Sequence, residues 1–150
     1  MRTVAATEGE DFRPSAEVSV PSGGKARLTA NLAAIEVLRR LEGDSRAATV
    51  QEQETLAGWS GWGAIPDAFS GENGWSEEAQ QLRQVLTAEE YRAARATTLN
   101  AHYTDPAVVA AMWSALARTG ATNEATILEP GSGSGNFMGR APEGVRMIGV

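Results

Sequence analysis

The residues with the clearest chemical potential lie in one run, Ile127–Leu128–Glu129–Pro130–Gly131–Ser132–Gly133–Ser134–Gly135–Asn136–Phe137. A short apolar stretch stops at a carboxylate, after which glycine alternates with serine. Such a loop at the end of a buried strand lets a ligand lie against bare backbone, because glycine has no side chain to obstruct it and tolerates unusual dihedrals. Two nucleotide loops are poor matches. A P-loop needs lysine followed by serine or threonine after its last glycine, but Asn136 and Phe137 follow Gly135. A dinucleotide loop needs a glycine where Asn136 stands. Two readings remain: a loop for a ligand of another kind, or a structural turn without a ligand. A plain Gly-Ser linker is the weaker form of the second, since a linker does not follow an Ile-Leu strand ending in Glu-Pro.

With an acidic residue at the strand end and alternating glycines behind it, Glu129, Gly131, Gly133 and Gly135 resemble motif I of the S-adenosylmethionine-dependent methyltransferases. The resemblance implies S-adenosylmethionine as cofactor, held by the segment from Glu129 through Pro130, Ser132, Ser134 and Asn136 to Phe137. Glu129 would accept, directly or through water, from the ammonium of the cofactor's amino-acid tail. The glycines would admit its adenosine and methionine portions, and helix N–H groups nearby would meet its carboxylate.

One helix upstream stands Asn100–Ala101–His102–Tyr103–Thr104–Asp105–Pro106. Read locally, Asp105 caps a helix and Tyr103 packs its ring on an apolar face. Read with the glycine loop, His102, Tyr103 and Thr104 resemble motif X of the type I restriction–modification DNA adenine methyltransferases. That segment precedes motif I and closes over the methionine end of the cofactor. The family usually has proline directly after the threonine, whereas Asp105 intervenes before Pro106. Glu129–Pro130 and Asn136–Phe137 also resemble the N6-adenine branch. That branch implies a catalytic Asn/Asp–Pro–Pro–Tyr/Phe motif, which holds a flipped adenine beside the methyl donor. No such motif occurs in these 150 residues.

The elements that must position these segments can be read from periodicity and caps. Leu28, Leu32, Ile35, Leu38 and Leu41 share one helical face, with Arg39 and Arg40 expected in the last turn and Gly43 as the left-handed stop. Thr49 and Glu52 form a capping box for a helix from about Val50 towards Ala57, and Thr87 with Glu90 form a second for a helix through Tyr91 and Ala94. Between them Ser76 is a candidate cap for a helix carrying Leu82, Val85 and Leu86. Asp105 and Pro106 start the last helix, whose expected buried stripe is Val108, Val109, Met112, Trp113 and Leu116, with Gly120 ending it. Two apolar runs, Ala125–Leu128 and Val145–Val150, read as strands around the glycine loop, with chain enough between them for a brief crossover helix. The expected fold class is α/β: a helical N-terminal region, then the first half of a Rossmann-like class I methyltransferase domain. Residues 1–24 read as a flexible leader, 25–98 as the helical region and 99–150 as the start of the cofactor domain.

The order of Asn31–Ile35, Arg46–Thr49, Gly58–Trp59, Gly61–Trp62–Gly63, Glu89–Tyr91 and Leu99–Thr104 resembles the start of large methylase–helicase proteins carried by plasmids, phages and conjugative elements. The resemblance covers about residues 26–150 and implies an N6-adenine methylase domain ahead of a superfamily 2 helicase. Trp59 and Trp62 between glycines read as core wedges, with base stacking as the alternative role.

A net charge of −6 and scattered basic residues mean that double-stranded DNA, if it is the substrate, is gripped mostly by parts outside these residues. The absence of cysteine excludes disulfides and thiolate metal sites, and a lone His102 argues against a histidine metal centre. No apolar run is long enough to span a bilayer, and no signal peptide opens the chain, so the expectation is a cytoplasmic protein with no membrane partner. The strand at Met147–Val150 stops where such a domain has an acidic ribose-binding residue. The corresponding expectation is a partial gene product with weak cofactor binding and no methyl transfer. Two rivals stay open: a methyltransferase acting on protein or a small molecule, and a non-catalytic helical adaptor with a vestigial nucleotide fold.

Overall fold

Side-chain caps begin three of the six helices in the computed structural model, which describes residues 12–14, 21–122 and 124–150. The first helix, α1, spans Gly24–Asp44. It buries Leu28, Asn31, Ala34 and Val37 and runs through Gly43, ending where Ser45 takes the left-handed conformation. The expected stop at Gly43 is therefore two residues early, and no basic residue lies in the last turn. Leu32 and Ile35 are partly buried, while Leu38 is exposed. The buried stripe is thus rotated from the leucine row towards smaller residues, which allow closer packing.

Helix α2, Val50–Ala57, starts at the expected capping box: the Thr49 hydroxyl accepts from the Glu52 N–H, and the Glu52 carboxylate accepts from the Thr49 N–H. A short helix α3, Asp67–Ser70, follows the tryptophan segment. It is too brief to show periodicity in the sequence. Helix α4 spans Ser76–Val85 with Trp75 at the cap position and no side-chain cap, so Ser76 is its first residue and does not cap it. Helix α5, Ala88–Thr97, carries the second capping box, Thr87 with Glu90. Helix α6, Pro106–Arg118, begins as expected: the Asp105 carboxylate accepts from the Ala107 N–H and proline occupies the first turn.

Two strands close the fold. β1, Thr126–Glu129, and β2, Arg146–Gly149, pair in parallel, with Leu128 opposite Ile148 and Glu129 opposite Gly149. The chain between them forms a series of turns through Arg140, and the expected crossover helix is absent there. The architecture is thus mixed helical with one short parallel pair.

The core falls into two clusters. Leu28, Trp62, Ile65, Ala68, Phe69, Leu82 and Leu86 fill the helical region. Rings of Trp59, Trp62, Phe69 and Tyr91 meet edge to face in sequence, with centroids 5.2, 5.3 and 5.2 Å apart. Each such contact contributes about 1 kcal/mol beyond area burial. Trp62 is buried in this cluster and Trp59 packs against it, so both act as core wedges and Trp62 offers no face for a base. The second cluster joins Val109, Trp113 and Ala141 to Ile127, Phe137, Val145 and Met147, seating α6 on one face of the strand pair. Only Val109 and Trp113 of the expected α6 stripe are buried; Val108, Met112 and Leu116 are exposed. Two strands cover a narrow part of a helix, so a stripe this wide has nothing else to meet. Leu128 and Ile148, on the opposite sheet face, are exposed for the same reason.

Most of the expected leader, residues 1–11 and 15–20, lies outside the described residues. Residues 12–14 do not stand apart: Arg13 donates to the Ala141 carbonyl at 2.9 Å. No helix among the described residues is long and apolar enough to cross a membrane.

Candidate functional site

The glycine loop hangs from the carboxyl ends of both strands. The Val150 N–H donates to the Glu129 carbonyl at 3.0 Å, and both the N–H and hydroxyl of Ser132 donate to the Val150 carbonyl, at 3.3 and 3.1 Å. The loop then turns on itself, Gly135 N–H donating to Ser132 at 2.7 Å and Gly139 N–H to Gly135 at 2.8 Å. These bonds fix the loop to the strand ends, where ligands sit in open parallel sheets.

Glu129 is half-buried at the tip of β1, and its Oε1 lies 3.9 Å from where a side chain on Gly131 would begin. The carboxylate therefore borders the bare backbone of Gly131. A side chain on Gly135 would meet open space. Pro130 and Ser134 are exposed. Phe137 faces the core beside Trp113, whose indole N–H donates to the Phe137 carbonyl at 3.0 Å. Asn136 Nδ2 is shut off from solvent and has no hydrogen-bond partner among the described residues. A buried donor of this kind is ordinarily met by water or another polar group.

The upstream segment reaches this loop through Tyr103. A Cβ added to Gly133, which has φ of +51°, would lie 2.8 Å from Tyr103 Cε1. On the other edge of the same ring, a Cβ on Gly61, with φ of +69°, would collide with Cε2 and lie 2.6 Å from Cδ2. The phenol ring is thus gripped by its two long edges between two bare backbones. One belongs to the tryptophan segment and the other to the glycine loop. Both glycines adopt a left-handed conformation that a larger residue enters only with strain.

His102 lies one residue away, with Nδ1 2.9 Å from the Cβ position of Gly63, over which the Ala101 carbonyl also passes. Its side chain, like that of Thr104, is exposed. The structure thus joins Tyr103 to Gly133 and leaves His102 against Gly63.

A cavity of about 600 Å³ opens on the far limb of the loop, lined by Ser134, Gly135 and Asn136 together with Gln53, Leu56 and Pro14. It includes none of Glu129, His102, Tyr103 or Thr104. The cavity and the Glu129–Tyr103 side are therefore separate flanks of one loop. Geometry favours the second, because it lies at the strand ends and carries the carboxylate.

In the sequence Asn31 figures only in the Asn31–Ile35 resemblance, with no role of its own. This side chain is fully buried in α1, donates to the Gly61 carbonyl at 2.8 Å, and accepts from the Ser60 N–H and hydroxyl at 2.9 and 3.1 Å. Its available signal was a polar residue inside an apolar helical stripe.

Fold and site together define a helical body that carries a parallel strand pair with a glycine loop and an aromatic clamp at its carboxyl edge. Compared with protein-family models, curated proteins and solved structures, the chain matches none.

Proposed function

We propose that the chain is the cofactor-side portion of an S-adenosylmethionine-dependent methyltransferase whose substrate is an adenine N6 in double-stranded DNA. The observation that carries this reading is the Tyr103 ring seated on Gly133, which unites two segments resembling motifs X and I. Supporting it, the strands are parallel, the loop leaves their carboxyl ends, and Glu129 borders open glycine backbone. A Rossmann-like domain would extend this pair with further strands, and its crossover helices would cover the exposed Leu128 and Ile148 face.

The residues present fit the cofactor's amino-acid end. Glu129 would hold the ammonium, and the Gly131 backbone would lie along the ligand. Tyr103 would shield that end from water. When bound, the cofactor supplies an electrophilic methyl group. These residues orient it and exclude solvent, so their contribution is positioning and electrostatics. The reading requires DNA contacts and a catalytic tetrapeptide from residues other than these, and the net charge of −6 weighs against these residues gripping phosphate themselves.

Calorimetric titration of the full-length gene product with S-adenosylmethionine, NAD and ATP in parallel tests the reading. Binding of S-adenosylmethionine alone, lost in Glu129→Ala, is the expected result. Preference for NAD or ATP would overturn it.

A further inference from the structure

We propose that Asn31 is a positioning residue for the cofactor loop, acting at a distance through Gly61 and Tyr103; the link to cofactor rests on the function proposed above. The Tyr103 ring stands between the tryptophan segment and the glycine loop. Its Cδ2–Cε2 edge abuts Gly61 and its Cδ1–Cε1 edge abuts Gly133. The separation between the tryptophan segment and the glycine loop is therefore set by the width of one aromatic ring. A ring can hold such a gap only if the wall behind it does not yield.

Asn31 supplies that rigidity. It makes three hydrogen bonds to two consecutive residues of the Ser60–Gly61 turn, one donated and two accepted, in a fully buried position. The turn backbone cannot relax towards α1 or away from it without leaving a buried donor and acceptor unpaired. A buried asparagine in an otherwise apolar stripe, beside Leu28 and Ala34, is costly unless geometry requires it. Here the geometry does: Gly61 must present a fixed, side-chain-free edge to the ring. Gly63 extends the same wall, with the Ala101 carbonyl and the His102 ring laid across it. The helical region thereby becomes the back wall of the cofactor cleft.

The test compares wild type, Asn31→Ala, Asn31→Asp, Tyr103→Phe and Tyr103→Leu in the full-length protein. Two readouts are taken, amide hydrogen exchange and calorimetric affinity for S-adenosylmethionine. Loss of the Asn31 bonds should speed exchange at the Gly135 amide by about tenfold, the effect of one unmade buried hydrogen bond. Amides of α4, which Asn31 does not touch, should keep their protection. Tyr103→Leu should reproduce the loop effect, whereas Tyr103→Phe, which retains both ring edges, should behave as wild type. Affinity should fall in the same order. Uniform loss of protection across α4 and the loop would mean that Asn31 only stabilises the fold, and would overturn the proposal. So would an unchanged Gly135 amide in Tyr103→Leu, a variant that leaves the buried α1 contacts intact. If wild type binds no S-adenosylmethionine, the exchange arm still decides the mechanical coupling, and only the functional reading fails.

Discussion

The Trp113 indole N–H donates to the Phe137 carbonyl at 3.0 Å, tying the middle of α6 to the exit of the glycine loop. Trp113 is buried against the strand pair, so this bond joins the second core cluster to the loop it must hold. Trp113→Phe keeps a ring but removes the donor. The expected loss is about 1–2 kcal/mol, because a part-buried carbonyl then lacks its partner. Urea unfolding should show a lower midpoint with an unchanged slope.

Gly133 and Gly135 both have positive φ, at +51° and +80°, but only Gly133 faces Tyr103. Alanine at either position meets the left-handed strain of about 1–2 kcal/mol. Gly133→Ala must also displace the ring, so it should be the more destabilising of the two. Adding Tyr103→Leu should rescue part of the Gly133→Ala loss and none of the Gly135→Ala loss. A double-mutant cycle by chemical denaturation measures this directly, and equal coupling at both glycines would refute the contact.

The two capping boxes give matched stability predictions. Thr49→Ala and Thr87→Ala each remove a hydroxyl that accepts an otherwise free helix N–H, at 3.3 and 3.2 Å. Each should lower stability by about 1 kcal/mol. Thr49→Ser and Thr87→Ser should recover most of it in thermal melts.

Acid sensitivity follows from the same boxes. Hydrogen bonds from Arg46, then from the Thr49 backbone, hold the Glu52 carboxyl well below the usual carboxylate range, while Glu52 in turn pushes the Arg46 guanidinium up. The Thr87 backbone N–H, with help from the Thr87 hydroxyl and Arg39, lowers Glu90 likewise. For both carboxylates the folded value lies beneath the unfolded one. Their stabilisation is complete above the ordinary carboxylate range and is lost as pH falls through the lowered values. Glu52→Gln with Glu90→Gln should therefore melt earlier at neutral pH and lose less on acidification. Melting temperatures across a descending pH series check this; parallel curves for variant and wild type would count against it.

Local interactions made much of the molecule legible in its sequence. Both capping boxes and the Asp105–Pro106 helix start act within a few residues of chain, and each strand is a short apolar run beside the glycine loop. Side-chain type and spacing are enough to specify them. The same locality misled where composition admitted more than one outcome. Gly43 offered a stop that α1 ran past, Ser76 offered a cap that went unused, and the turns after the glycine loop never closed into a helix.

The sequence by itself determined where α2, α5 and α6 begin, which loop has bare backbone and which carboxylate stands at its head. Only the tertiary structure decided which face of α6 is covered, and that Tyr103 bridges Gly61 to Gly133 with Asn31 behind it. The physical reason is range. Caps and turns are satisfied by neighbours in the chain, whereas burial and close approach depend on partners 30 or more residues away, as Asn31 and Gly61 are. Nothing in a polar residue's own neighbourhood says that its hydrogen bonds will be spent holding a distant ring in place.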